Sequence, residues 1–371
     1  MSEFDEKTEA TNQELKCCNC AAILHYSPGT TNLKCTYCGA DNPIIVSDEK
    51  IEELDFTSFL NEQYKKEDTV EVISVKCTVC AAQTTLQPNV TASDCPYCSS
   101  PLVVSSGSAN KIVKPKSLLP FKIDRKQAID SFKNWVRKLW FAPSNLKKYA
   151  SLEKINGIYI PYWTYDTDAH TQYSGRRGDY YYVTENYTTT ENGKSVTKTR
   201  QVRHTRWTPV SGNVQDVFDD LLVNASKSLP EKYVRKLEPW DLANLSPFDE
   251  KFLSGFKAES YQMDVKEGFD IAKTIMDPVI RATIKKNIGG DEQQINSMSV
   301  DYRSITFKHI LLPLWISSYI YNKKVYRFLV NARTGEVQGE RPYSFWKIFF
   351  FVLSIIGVGV GIYFLTQYFG K

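Results

Sequence analysis

Apolar and polar positions change rhythm three times along the chain. Near the front the apolar residues come in short bursts broken by turn formers. "AAILHYSPGTTNLK" (21–34) and "AAQTTLQPNVTASD" (81–94) each predict a short strand, a turn and a second short strand. "SLLPFKID" reads as a strand, and from Arg125 the period lengthens. Ala128, Ile129, Phe132, Trp135, Val136, Leu139 and Trp140 recur at three- and four-residue spacing, predicting an amphipathic helix over "RKQAIDSFKNWVRKLWF" with a basic opposite face. "GIYIPYWTYDTDAHTQY" and "DYYYVTENYTTTENGKSVTKTRQVRHTRW" are rich in Tyr, Thr and Val, and the second predicts a long β-hairpin turning at Asn192-Gly193. The stretch "VFDDLLVNASKSLPEKYVRKLEPWDLANLSPFDEKFLSGF", punctuated by Pro230, Pro239 and Pro247, reads as mostly helical. "HILLPLWISSYIYNKKVYRFLVNARTGEVQGERP" reads as two or three strands turning at Asn322-Lys323 and at Asn331 to Gly335.

From Ile348 to Gly370 the periodicity disappears altogether: "IFFFVLSIIGVGVGIYFLTQYFG" carries no charge. At about 1.5 Å per residue it reaches roughly 34 Å, enough to cross a hydrocarbon layer of about 30 Å. Tyr343, Phe345 and Trp346 precede the run and Tyr368 and Phe369 close it, as in an interfacial aromatic belt. Arg333, Arg341 and Lys347 lie before the span and only Lys371 beyond it, so the charge bias places residues 1–346 in the cytosol. The acidic start "MSEFDEKTEATNQELK" has none of the features of a secretory signal. The expectation is a single-pass, tail-anchored protein of the cytoplasmic membrane. Gly357 and Gly361 form a G-x-x-x-G pair suited to close helix packing in a homodimer.

A chain of 371 residues, 42% of them hydrophobic, is long enough for several units and at least one core, and its formal charge of +4 carries no global bias toward nucleic acid. The cysteines change the picture more. All nine lie between Cys17 and Cys98, a distribution that argues for metal rather than disulfides. Cys17-x2-Cys20 is followed after 14 residues by Cys35-x2-Cys38, and Cys77-x2-Cys80 after 14 residues by Cys95-x2-Cys98. A shift of sixty positions carries the first set onto the second, together with Ala21, Ala22, Pro28, Thr31 and Tyr37 onto Ala81, Ala82, Pro88, Thr91 and Tyr97. Cys18 falls on Thr78 and is the surplus thiol. Two such knuckles present four thiolates to one tetrahedral Zn2+, so two zinc ribbons and two structural ions are expected, each site closed to a metal-bound water. Neither ribbon is basic, and "SDEKIEELDFTSFLNEQYKKED" between them is largely acidic, which favours protein over nucleic-acid contacts.

Residues 105–114, "SSGSANKIVK", read as a linker. The expected layout is therefore an acidic N-terminus with ribbon 1 (1–46), an acidic linker (47–70), ribbon 2 (71–104), a β-rich α+β domain (105–346) and a transmembrane helix (347–368). Within the domain, "LPFKIDRKQAIDSF" is echoed by "ESYQMDVKEGFDIAKTI", and "YIPYWTY" by "LLPLWIS", suggesting a duplicated strand-helix-strand unit. "GKS" at 193–195 is a hairpin turn, because a phosphate-binding loop needs glycine where Thr188 stands and a helix afterwards. Arg176, Arg177, Lys198, Arg200, Arg203 and Arg206 lie among Tyr180, Tyr181, Tyr182, Tyr187 and Trp207, a pattern that can hold single-stranded nucleic acid or anionic headgroups. The four histidines are scattered, and neither an open metal-site motif nor a hydrolase motif occurs, so a non-enzymatic protein is expected.

The order of cysteine ribbons, "IYIPYWTYDTDA", "RWTPVSGNVQDVFDDLLVNAS", "LEPWDL", "FLSGFKAESYQ", "ILLPLW" and "YRFLVNARTGEVQGERP" ahead of a membrane helix resembles a bacterial zinc-ribbon membrane protein family. Its members combine a transcription-factor-IIB-type ribbon with a C-terminal transmembrane helix and are sometimes labelled primosomal-helicase-like. The resemblance implies phage-shock-protein-A-like or flotillin-like partners and a role in envelope stress or membrane organisation. No ATP-driven motor is implied, since the phosphate-binding loop is missing. The function expected is a membrane scaffold whose ribbons recruit protein partners. The alternative is a membrane-tethered nucleic-acid binder using the hairpin at 176–207.

Overall fold

The computed structural model describes residues 15–46, 50–61, 69–79, 82–86, 92–98, 100–103, 107–143, 155–191, 193–321 and 324–369. Strands β1 (Leu24–Tyr26), β2 (Asn32–Cys35) and β3 (Asp41–Pro43) make the antiparallel sheet of ribbon 1. After β4 (Leu54–Asp55) and α1 (Phe56–Leu60), ribbon 2 pairs β5 (Thr69–Lys76) with β6 (Gln83–Leu86), and β7 (Ala92–Asp94) with β8 (Pro101–Val103). The residues expected as a linker form β9 (Gly107–Val113), which runs antiparallel along β5 from Thr69↔Val113 to Val75↔Gly107. Their Gly/Ser composition signals a loop, but the open edge of β5 needs backbone partners, and that need prevails.

The larger domain comprises β10 (Ser117–Leu118), α2 (Arg125–Lys138), β11 (Asn156–Glu191), β12 (Lys194–Asn224) and α3 (Glu231–Val234). It continues with β13 (Ser246–Pro247), β14 (Lys257–Ala258), α4 (Val265–Ile288), β15 (Glu292–Tyr321), β16 (Lys324–Asn331) and β17 (Val337–Gly339). The fold is α+β, mostly sheet. Its spine is β12-β11-β15, and the 36 residues of β11 at about 3.3 Å each extend on the order of 100 Å. β15 leaves the spine at Gly178↔Glu292, so the last part of β11 and β12 projects as a two-stranded ribbon to Glu191↔Lys194. The expected hairpin is thus present but much longer. Gly193 takes a left-handed φ of 74° at its tip, while Asn192, like Asn322 and Lys323, lies outside the described residues.

Two expectations from periodicity fail here. Residues 217–224 are not helical: β12 runs on to Asn224, and beyond it lie single-turn helix and 3-10 helix around the prolines. A β-bulge explains the error. Between Tyr165↔Leu221 and Thr167↔Phe218 the register slips, with Asp220 at φ 51°, and the extra residue converts alternation into a spacing that imitates a helix. "SLLPFKID" contributes only two strand residues, because Pro120 comes directly after Leu119.

The centre of the spine is buried on both faces, which accounts for its unbroken apolar runs. Ile158, Ile160 and Tyr162 of β11, with Ile310, Leu312, Leu314 and Ile316 of β15, share a core with ribbon 2 and the segment from Leu229 to Trp240. Tyr159 and Trp315 join ribbon 1 and α2, while Trp163, Tyr165 and Phe307 join α1 and α4.

The weak internal echo becomes a clear repeat in hydrogen bonds. Asp124 and Asp264 cap α2 and α4, accepting from the backbone N–H of Gln127 and Glu267 at 2.7 Å each. Trp163 Nε1 donates to Met263 O at 2.9 Å, and Trp315 Nε1 to Ile123 O at 2.8 Å. The strand ahead of each helix pairs parallel with the long strand of the other half, β10 with β15 and β14 with β11. The two halves therefore interlock.

α5 (Phe345–Phe369) ends the described chain; Phe345–Thr366 within it is long and apolar enough to cross a membrane, and none of its residues is buried. Gly370 and Lys371 lie outside the described residues.

Candidate metal centres and their seats

The cysteine knuckles share one backbone device. The first cysteine of each donates its N–H to the carbonyl five residues on: Cys17 to Ala22, Cys35 to Ala40, Cys77 to Ala82 and Cys95 to Ser100, at 2.8 to 2.9 Å. Closing that loop needs a left-handed residue, supplied by Ala21 (φ 57°) and Gly39 (φ 75°).

In ribbon 1 the four sulfurs of Cys17, Cys20, Cys35 and Cys38 all lie within 4.8 Å of one another, with Cys17 to Cys38 at 3.6 Å and Cys20 to Cys35 at 3.5 Å. An ion bound tetrahedrally by four thiolates at about 2.3 Å needs sulfurs about 3.8 Å apart, so the donor set fits a metal ion. Backbone N–H groups of Asn19 and Cys38 point at Cys17 Sγ (3.4 Å) and Cys35 Sγ (3.5 Å). The Asn19 N–H, with that of Cys20, holds the Cys17 thiol down to about 6 against the opposing effect of burial. The Ala22 N–H acts the same way on Cys20, but the thiols of Cys38, Cys35 and Cys17 together with burial push it up to about 12, so Cys17 ionises before Cys20. In ribbon 2, Cys77, Cys95 and Cys98 come together in the same way, Cys77 and Cys98 at 3.6 Å. Cys80, the expected fourth ligand, lies outside the described residues. Cys18 is exposed and stands outside the cluster, its N–H bonded to Asn42 Oδ1 at 3.1 Å.

Neither ribbon hangs on a free tether. Ribbon 1 seats Tyr26 against Phe252 and Phe256, with ring centroids 5.1 and 6.2 Å away. Its backbone is stitched down by Gly29 N–H to Phe121 O at 2.8 Å and Ser254 Oγ to Leu24 O at 2.6 Å. The described part of the acidic segment between the ribbons, residues 50–61, is docked as well. Phe56 of α1 packs among Tyr165, Phe269 and Phe307, and Glu53 meets Lys308 at 2.9 Å. Lys308 also meets Asp220 at 2.7 Å, beside the bulge. Burial opposes ionisation of Glu53, but Asp166, Thr306 and Lys308 outweigh it and hold the carboxyl near 2; burial and Glu53 push Asp166 up to about 6. Of the described acids of the segment, Glu53 serves Lys308 and Asp55 caps α1, accepting from Ser58 N–H at 2.7 Å.

Ribbon 2 has a polar seat that pattern reading missed. Tyr97, inside the Cys95-x2-Cys98 knuckle, is buried and donates to Glu259 Oε2 at 2.5 Å. Ser226 Oγ (2.9 Å), Ser228 Oγ and Gln262 Nε2 (2.6 Å) converge on Glu259 Oε1. Burial raises the Glu259 carboxyl to about 7, although the hydroxyls of Ser228, Tyr97 and Ser226 work in the other direction. The internal repeat singles the residue out. Glu259 N–H donates to Tyr159 O, as Leu119 N–H does to Leu311 O, both at 3.0 Å, so an acid stands where the other half buries a leucine.

The arginines of the hairpin are engaged within it. Arg203 lies 4.2 Å over Tyr180, Arg206 5.3 Å over Tyr181, Arg200 5.6 Å over Tyr187 and Arg176 5.9 Å over Trp207. Arg200 also pairs with Glu185 at 3.3 Å and Arg177 with Asp179 at 2.9 Å. Ring faces covered by guanidinium are not open to stacking bases.

No protein-family model matches the chain, and no solved structure matches it. Among curated proteins it is similar to the uncharacterized protein YdjG of Bacillus subtilis, 26% identical over 247 residues, which covers 66% of this chain and 68% of the relative.

Proposed function

We propose that the protein is a membrane-anchored, non-enzymatic scaffold whose two ribbons hold zinc and whose ribbon 1 recruits a protein partner. Soft thiolates in tetrahedral array favour zinc among common cellular ions. The observation that carries the recruitment is apolar surface on a ribbon otherwise firmly seated: Tyr37 is 86% exposed, Ile45 85% and Ile23 58%. Such side chains on a metal-stapled unit are ready contacts that need no further ordering on binding. α5 supplies the anchor, and the cations Arg341 ahead of it and Lys347 in its first turn favour a cytosolic orientation for the ribbons. Phage-shock-protein-A-like or flotillin-like proteins are the partners suggested by the family resemblance. The engaged arginines of the hairpin weigh against nucleic acid.

The test is affinity capture of the full chain from native membranes beside Tyr37→Ser/Ile45→Ser, with elemental analysis of both. The expected result is two zinc ions per chain in each and a partner retained only by the unaltered protein. Equal retention by the double variant would remove ribbon 1 from recruitment, and absence of zinc would overturn the metal assignment.

A further inference from the structure

The basic helix α2 ends against the root of α5. The corner after it, Leu139 to Ala142, is clasped there by backbone and side chain: Ser344 N–H donates to Phe141 O at 2.7 Å, and Lys347 Nζ donates to Trp140 O at 3.3 Å and Ala142 O at 2.8 Å. The Phe141 ring sits 5.2 Å from that of Phe351, edge to face. Phe351 lies inside the candidate span Phe345–Thr366, about 9 Å along the helix axis from its first residue. With α5 in a bilayer, the corner is carried to the depth of the interfacial layer.

The corner has the composition such a depth demands. Trp140 is 76% exposed, an unusual state for a tryptophan beside a packed helix, and Phe345 and Trp346 are exposed beside it along α5. Arg137 and Lys138, exposed in the last turn of α2, precede it directly. The other charged groups on this helix lie farther back: Asp130 is paired with Lys133 at 3.5 Å, and Asp124 is held by its cap. The polar end of α2 therefore presents cations, with no carboxylate between them and the aromatic corner.

We infer that the end of α2 is a second membrane contact, one that does not span: Trp140 and Phe141 enter the interface, and Arg137 and Lys138 bind anionic phospholipid headgroups. This rests on the anchoring by α5 proposed above. Its consequence is orientational. A single helix leaves the body free to swing about its root, whereas a second contact holds the α+β domain in one attitude to the bilayer and so sets the direction in which ribbon 1 faces.

The full chain is reconstituted into vesicles of phosphatidylcholine, with and without phosphatidylglycerol, containing lipids brominated near the headgroup. Tryptophan quenching is compared among the unaltered protein, Trp140→Phe, Trp346→Phe and Arg137→Gln/Lys138→Gln. The expected result is a loss of quenchable emission on Trp140→Phe and, separately, on Trp346→Phe. The Trp140 component should strengthen with phosphatidylglycerol, and that increment should vanish in the double-glutamine variant. If Trp346→Phe lowers the quenching while Trp140→Phe leaves it unchanged, the anchor stands and the second contact is overturned. A Trp140 component indifferent to anionic lipid overturns the headgroup assignment. If neither tryptophan is quenched, the anchoring by α5 fails, and the second contact with it.

Discussion

Tyr37 and Tyr97 hold the same place in the two ribbons, each immediately before the last thiol of its unit, yet one is 86% exposed and the other 1%. The knuckles around them are alike, with the same hydrogen bond from the first cysteine to the fifth residue on. The difference lies elsewhere in the chain. Ribbon 2 meets a face of the spine where Glu259 waits for a hydroxyl, whereas ribbon 1 docks through Tyr26 on its strand side and leaves the turn of its second knuckle, Thr36 to Gly39, exposed. A repeated sequence can thus build two similar thiol clusters and set them in unlike surroundings, one against a core and one at a surface.

Truncation should separate the two tyrosines most sharply. Tyr97→Ala removes a fully buried ring and leaves Glu259 short of a donor, and a loss of about 3–5 kcal/mol is expected, as for other large aromatic-to-alanine changes in cores. Tyr37→Ala should stay within about 0.5 kcal/mol. Thermal or denaturant unfolding of the two variants in detergent measures the contrast, and equal losses would break it.

A smaller effect tests the seat through pH. The folded carboxyl of Glu259 titrates at about 7, above its ordinary 4.5, so between these values the folded state binds the proton more readily than the unfolded state. This contribution to stability is therefore fully present below about 4.5, falls as pH rises, and is gone above about 7, a span on the order of 3 kcal/mol. Glu259→Gln should flatten that part of the stability profile. An unchanged slope from pH 4.5 to 7 would show that the carboxyl is not buried as described.

The smallest effect belongs to Cys18. It is exposed, outside the ribbon 1 cluster, and matched by Thr78 in the second unit, so Cys18→Ser should leave the metal content and the melting temperature of the protein unchanged. A lost metal ion would mean that the register of ribbon 1 is shifted by one residue.

Local signals were easy to find because their physics is local. Cysteine spacing determines the knuckles, since a C-x2-C turn points both sulfurs inward whatever surrounds it. The absence of charge from Ile348 to Gly370 marks the span in the same direct way, and Asp124 and Asp264 announce their helices by capping them. Errors arose where neighbours in space overrode neighbours in sequence. A bulge at Asp220 made strand look like helix, and an open edge of β5 drew a glycine-serine segment into a sheet.

Most of what concerns function was of the second kind. From the sequence alone, two thiolate clusters, an α+β body with an internal echo and an apolar C-terminal helix could be established, because each depends on spacing or composition within a short window. Only the tertiary structure decided that Tyr97 is core and Tyr37 surface, that Glu259 replaces a buried leucine, and that the end of α2 lies against the root of α5. Those outcomes depend on which surfaces meet after the long strands pair, and residues such as Tyr97 and Glu259, 162 positions apart, carry no mark of each other until they do.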